Sequence, residues 1–465
     1  VEQLWNTNCM SCHGVTGQGA NASSLLDDEW LLGPTDKDLF RATKEGIADS
    51  GMPAYGETLN DAQLWGLVVH MRELRARHER AAKGSPRPDG SGVYTSTHAR
   101  FRVERVVTSG LEVPWGVDFL PDAAPEGLIR SGMLVANRPG GLHLWNDGAL
   151  SAAVRGTPDV RNRGQGGLME VAVHPEYAEN GWIYLGFSHE IEGNRRPGMT
   201  KIVRGKIRER GSSLQWMDEE VIFEARHEDY LTTDLHFGCR IVFEEGPDGK
   251  HYVYFAIGER GRMEHAQELA RPNGKVFRVY DDGSIPLDNP FVGKAGVYEQ
   301  IWSYGHRNPQ GLVMDLEGRL WDTEHGPRGG DELNLVEKGK NYGWPLVSFG
   351  MNYNGSPFAT PWPKEGQDLT MPTYVWTPSI AACGLDVVRA GAKGEAFGVW
   401  RGDLMAGGLA GQTVQRLRIK DGEVVEIEEL LHGDGRVRDV AVGPDGSVYV
   451  VYNGPDVIVR MVPVQ

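Results

Sequence analysis

The stretch Arg438-Asp439-Val440-Ala441-Val442-Gly443-Pro444-Asp445-Gly446-Ser447-Val448-Tyr449-Val450 holds the pattern that decides the fold. A charged residue leads a short apolar run, a Pro-Asp-Gly turn reverses the chain, and a second apolar run returns. Asp-Gly supplies the positive φ angles of a tight hairpin, so the stretch reads as two antiparallel strands. Working outward, a like unit starts near Trp115-Gly116, Gly167-Leu168, Arg240-Ile241, Gln310-Gly311 and Gly384-Leu385. Asn146-Asp147-Gly148, Pro247-Asp248-Gly249, Asp282-Gly283 and Asp421-Gly422 punctuate the runs between them. Repetition of this kind from Phe101 onward predicts an all-β six-bladed propeller with long insertions. A sandwich needs fewer strands, and a parallel α/β fold needs helices that this part of the chain does not show.

Before Phe101 the apolar spacing is helical. Thr35 to Ile47 reads as one helix, and Leu59 to Leu74 as another, with Leu64, Leu67, Val68, Met71 and Leu74 on one face. Ahead of them stands Cys9-Met10-Ser11-Cys12-His13. Two thiols one helical turn apart form thioethers to porphyrin vinyl groups, and the adjacent imidazole lies beneath the iron. A redox dithiol calls for a βαβ context and a zinc site for a second ligand pair, and neither is visible nearby. The run is therefore read as haem c attachment. Met52, fixed between Gly51 and Pro53 in an interhelical loop, is the candidate second axial ligand. Met10 is too close to the attachment run to reach the far face, and Met71 belongs to the apolar face of the last helix. Thioether and imidazole together leave no open position on the iron, which suits electron transfer. This segment resembles a small class I cytochrome c domain.

Composition bounds the rest. The chain has 465 residues and a net charge of −16, which argues against nucleic acid or an anionic membrane as partner. No apolar run approaches the roughly 18 residues of a membrane span. Val1 is not an initiator Met, so the sequence reads as processed or trimmed. Bacterial haem c attachment takes place outside the cytoplasmic membrane, so a periplasmic or secreted protein is expected. The polar stretch after Arg75, with Gly84-Ser85-Pro86-Arg87-Pro88-Asp89-Gly90, marks a boundary. The expected organisation is multidomain: a small all-α cytochrome c domain over 1–84, a linker over 85–100, and the propeller over 101–465.

In a propeller, strand-leading residues converge on one end of the central channel. Here they include Gln165, His236, Glu259, Arg307, Asn308, Gly326, Pro327, Asp331, Arg436 and Arg438. Any one of them alone reads as a turn or salt-bridge residue. Together they bring a base, a carboxylate to orient it, and several guanidinium groups that need an anion to face. That set suits a planar polyanion.

The segments Asp234-Leu235-His236-Phe237-Gly238-Cys239-Arg240, Ile257-Gly258-Glu259-Arg260-Gly261-Arg262 and Gly305-His306-Arg307-Asn308-Pro309-Gln310-Gly311 carry a resemblance. So do Glu324-His325-Gly326-Pro327-Arg328-Gly329-Gly330-Asp331-Glu332, Asn341-Tyr342-Gly343-Trp344-Pro345 and Arg436-Val437-Arg438-Asp439-Val440. In this order they resemble the soluble PQQ-dependent glucose/aldose sugar dehydrogenases, a family of six-bladed propellers. With the N-terminal segment, the chain is similar to a quinohaemoprotein sugar dehydrogenase. The resemblance implies that Arg307, Arg436 and Arg438, with Asn308 and Gln165, hold PQQ, and that Tyr353 packs against its ring. It implies a Ca²⁺ on the backbone carbonyls of Gly326 and Pro327, and a second, structural calcium at Glu332 and Tyr342. His236 matches the family's catalytic base and Glu259 its acidic partner, where the family also shows Asp. Arg307 matches the cation that stabilises charge on the quinone.

Two departures stand out. The glucose-specific branch has a lysine where this chain reads Gly408-Leu409-Ala410-Gly411, which points to the broader aldose branch. Cys239 and Cys383 replace serines and are expected as free thiols near the channel mouth. The expected activity is oxidation of an aldose, at the anomeric hydroxyl, to a lactone. Electrons would then pass singly to the haem and on to an external acceptor such as a cytochrome or respiratory chain component. Other alcohols, aldehydes or polyols remain open as substrates, as does a non-catalytic sugar- or protein-binding propeller beside an electron carrier.

Overall fold

The computed structural model describes residues 1–246, 249–389 and 396–464; of the turn Pro247-Asp248-Gly249, the first two residues lie outside the described residues. The first part is helical: α1 (Glu2–Asn8), α2 (Met10–His13), α3 (Asp36–Glu45) and α4 (Asp61–Lys83). Thr35 and Asn60 each close a capping box at the start of α3 and α4, satisfying backbone N–H groups that the helix itself leaves unpaired. The expected last helix ended at Leu74, whereas α4 runs on to Lys83. Its extra turns are polar and held by ion pairs: Arg75 to Glu79 and to Asp28, and Arg80 to Glu429 at 2.6 Å.

Among the described residues the later strands form six antiparallel sheets, five of four strands and one of five. These are the blades of a six-bladed propeller. The inner strands are Pro114–Leu120, Leu168–Val173, Ile241–Glu245, Pro309–Met314, Ala382–Val387 and Arg436–Val442, in blades one to six. Each begins at or beside one of the six recurring units. The ring closes in blade six, where Arg100–Val107 pairs with Val457–Pro463, Phe101 opposite Pro463. Pairing a strand from the start of the propeller with the strand at its end closes the ring of blades. Val93–Thr95, within the stretch read as linker, adds a fifth strand there. Val93 is buried and the Tyr94 ring stacks on Phe101 at 5.2 Å, so a short apolar pair inside a polar stretch suffices to order it.

Apolar packing fills the spaces between blades, as in the cluster that joins Phe223, Phe255, Phe277 and Tyr298. The channel axis is polar instead. Arg240 extends across it, its Nη1 3.1 Å from both Glu170 and Asp439. Its Nε donates to the Gln310 carbonyl at 2.7 Å and its Nη2 to the Arg438 carbonyl at 3.0 Å. One guanidinium thus ties blades two, four and six to blade three, satisfying a buried charge that would otherwise be costly.

The insertion between the strands Asp331–Leu335 and Tyr374–Trp376 of blade four reaches the helical part. Its Trp362 packs 4.3 Å from Phe40 and 5.3 Å from Trp65, and Met351 joins the same apolar cluster.

Candidate active site

His236 sits on the connection entering blade three, in a left-handed backbone conformation with φ of 50°. That conformation is unfavourable for a side chain bearing a Cβ, and the neighbourhood holds it in place. The Gln165 Oε1 accepts the His236 backbone N–H at 2.8 Å. The His236 Nδ1 is hydrogen-bonded to the Glu259 carboxylate, and both residues are buried. A carboxylate can only accept, so Nδ1 carries the proton and Nε2 presents its lone pair. Burial, with Arg307 and Arg260 nearby, pulls His236 below the usual histidine range, although Glu259 opposes this. The ring is therefore neutral at ordinary pH.

Two guanidinium groups stand at this mouth, from blades four and six. Arg307 donates to the His325 carbonyl at 2.9 Å, and Arg438 lies 3.9 Å over the Trp115 ring. In each, Nε is buried without a partner, an arrangement that calls for an anion. Burial lowers Arg438 from its ordinary value, which also marks a cation lacking its counter-charge. Arg436 stands exposed at the rim, and Tyr353 is 70% exposed with its hydroxyl 3.4 Å from Arg307. Asn308 is buried, its Oδ1 accepting the Gly238 N–H at 3.3 Å. Gln165 and Asn308 thus each give an oxygen to the backbone around His236.

Gly326 and Pro327 form the turn after the second strand of blade four. Asp331 fixes it, one carboxylate oxygen accepting the Gly326 N–H at 2.9 Å and the other the Ala382 N–H at 3.0 Å. Among the described residues, the Gly326 and Pro327 carbonyls accept no hydrogen bond, which fits ligation of a hard cation. Behind this turn, Asp322, Glu324 and His306 bring ligating atoms within 4.8 Å of one another. Burial and Glu324 push both Asp322 and Glu332 well above the carboxylate range. Crowded carboxylates of this kind fit a structural cation. The Tyr342 hydroxyl is used by the backbone, donating to the Leu335 carbonyl and accepting the Glu337 N–H, while its ring stacks on His306.

One residue of this mouth had no role assigned from sequence. His325 carries a covered, unpartnered Nε2, and burial beside Arg307, His236 and Arg438 pushes it down to about 3. The available signal was position: Glu259 and His325 follow the second strands of consecutive blades.

In the helical part, a cavity of about 430 Å³ is lined by Cys9, Cys12, His13 and Met52 together with Trp5, Leu39, Leu67 and Met71. Its apolar walls and its thiol, imidazole and thioether groups fit haem c. The His13 Nδ1 faces the Ser23 carbonyl at 3.4 Å, which leaves Nε2 for the iron. Met71 lines the cavity as well as the apolar face of α4, whereas Met10 packs outside it.

Cys239 and Cys383 are both buried, and no disulfide forms among the described residues. The Cys383 Sγ lies 2.9 Å from the Arg438 carbonyl, and Cys239 fills the space above Gly186.

Propeller and helical part together define an oxidoreductase joined to a c-type cytochrome domain. Residues 111–460 match the Glucose / Sorbosone dehydrogenase family, to which the chain belongs. Residues 1–71 match Cytochrome C oxidase, cbb3-type, subunit III. Aldose sugar dehydrogenase YliI of Escherichia coli K12 is 38% identical over 349 residues, covering 74% of this chain and 88% of that relative. The apo crystal structure of the soluble aldose sugar dehydrogenase of Escherichia coli has a TM-score of 0.67 at 36% identity, covering 78% of this chain and 100% of that one. The PQQ-bound aldose sugar dehydrogenase of Streptomyces coelicolor gives 0.59 at 27%, covering 79% and 99%. The family and the cytochrome match imply PQQ and haem c as cofactors. No helix among the described residues is long and apolar enough to cross a membrane.

Proposed function

We propose that the chain oxidises an aldose at the anomeric hydroxyl to a lactone, residues 101–465 performing the oxidation and residues 1–84 carrying the electrons away. The observation that supports this most is the His236 ring, held neutral with Nδ1–H on Glu259 and Nε2 turned to a mouth flanked by unsatisfied guanidinium groups.

His236 Nε2 takes the proton of the sugar hydroxyl, as a general base with a pKa near or below working pH. Glu259 fixes the tautomer and stabilises the imidazolium that forms, in the manner of a catalytic triad acid. Arg307 and Arg438, with Arg436 at the rim and Asn308, Gln165 and Tyr353 around them, hold the carboxylates and carbonyls of PQQ by charge-assisted bonds. Arg307 also offers a fixed cation where negative charge develops. The carbonyls of Gly326 and Pro327 hold the catalytic calcium, and Glu332 and the Tyr342 region a structural one. PQQ, when bound, supplies the acceptor for the electron pair of the sugar C–H bond, and haem c on Cys9, Cys12, His13 and Met52 supplies a single-electron outlet to an external acceptor. A periplasmic or secreted location suits haem attachment.

Titrating PQQ with Ca²⁺ into the apoprotein and then adding aldoses, simple alcohols and polyols separates the possibilities. The proposal expects tight PQQ uptake and haem reduction by aldoses. Uptake without reduction by any sugar would reject it.

A further inference from the structure

The helix α4 stands between the two cavities. Leu67 and Met71 line the haem cavity, while Glu73 lines a second cavity of about 220 Å³ beside His325, Gly326 and Pro327. The Glu73 carboxylate meets the Arg328 guanidinium in a fork, Nε to Oε1 at 2.9 Å and Nη2 to Oε2 at 2.7 Å. Only 10% of the Glu73 side chain is exposed, so solvent screens this pair weakly. Arg328 directly follows the Gly326-Pro327 turn, and its backbone pairs both ways with Met351 at 2.9 Å. Val69, one turn before Glu73, packs against Gly329. The docking is anchored at a further point, where Arg80 pairs with Glu429 of blade five.

We propose that Glu73, a residue of the cytochrome domain, is a positioning and specificity residue of the sugar site. This rests on the reading of the propeller mouth as an aldose site. Its fork on Arg328 sets the orientation of the Gly326-Pro327 turn, and its side chain lines the cleft beside it. Standing beside that turn, the docked helix narrows the approach to the mouth, so the docked domain excludes longer saccharides. The sequence match to the dehydrogenase family begins at residue 111, so this helix belongs to the part of the chain outside that match.

The test uses the full-length holoenzyme with Glu73→Ala, Glu73→Gln, which keeps the volume, and Glu73→Asp, which keeps the charge. The first readout is kcat and KM for glucose, maltose and maltotriose. The second is hydrogen exchange at the Arg328 and Gly330 amides in haem-loaded protein without PQQ. Loss of the fork should raise the maltotriose-to-glucose ratio of kcat/KM by about tenfold or more. It should speed exchange at those amides by about tenfold. Glu73→Asp should restore both toward wild type. Either readout unchanged in both Ala and Gln variants overturns the proposal. If the wild type oxidises no aldose, the sugar reading has failed, and the exchange measurement still decides the clamp.

Discussion

His236 and Glu259 are buried together at the propeller mouth, the histidine Nδ1–H bonded to the carboxylate, on connections that enter and cross the same blade. Burial places the histidine below its ordinary range, so the base is largely unprotonated at neutral pH. The acid limb of kcat/KM is therefore expected below pH 6.5. Glu259→Gln removes the group that raises the ring, so that limb should move further down. kcat should fall by about 10²-fold or more as the tautomer is lost. An acid limb that stays in place in Glu259→Gln contradicts the pairing.

Arg438 lies 3.9 Å over the Trp115 ring with its Nε unsatisfied. Charge-assisted hydrogen bonds contribute about 1.5–3 kcal/mol each, so Arg438→Met should weaken PQQ uptake by about 10- to 100-fold. Equilibrium titration of the apoprotein reads this directly. Affinity equal to wild type would mean that the cofactor does not face this guanidinium.

Arg240 bonds three other blades at once across the channel. Replacing it by Met strands Glu170 and Asp439, and removing one partner of a buried ion pair costs about 3–5 kcal/mol. Urea unfolding of Arg240→Met against wild type checks the loss. A change below about 1 kcal/mol would show that water replaces the guanidinium in the channel.

Cys239 and Cys383 are buried, and burial together with Glu170 holds the Cys239 thiol well above its ordinary value. Neither should react with a thiol reagent in the native haem-loaded protein, and both should react after denaturation. Native labelling of either residue would require the blades around the channel to open.

Much of the propeller was legible because its determinants are local. An apolar run recurs at each inner strand, and Asp-Gly turns mark hairpins, as from Arg438 to Val450. The cytochrome segment was legible because Cys9, Cys12 and His13 are adjacent in sequence. What stayed hidden depends on groups brought together from afar. Nothing near Glu73 announces Arg328, and nothing near Arg240 announces Glu170 and Asp439. Helix α4 past Leu74 reads as polar linker because its support comes from ion pairs, one of them with blade five. Gln165 and Asn308 were read as cofactor ligands from position alone. Their side-chain oxygens also hold the backbone around His236, an arrangement that only the folded loop reveals.

The central claim is that the mouth around His236 oxidises sugar and that its electrons leave through the haem domain of the same chain. Stopped-flow mixing of holoenzyme with aldose, without an external acceptor, tests it most directly. The account predicts first-order appearance of the ferrous haem bands, at a rate independent of protein concentration and abolished in His236→Ala with its haem spectrum intact. Haem that stays oxidised while sugar is consumed, or a rate that scales with protein concentration, would contradict it.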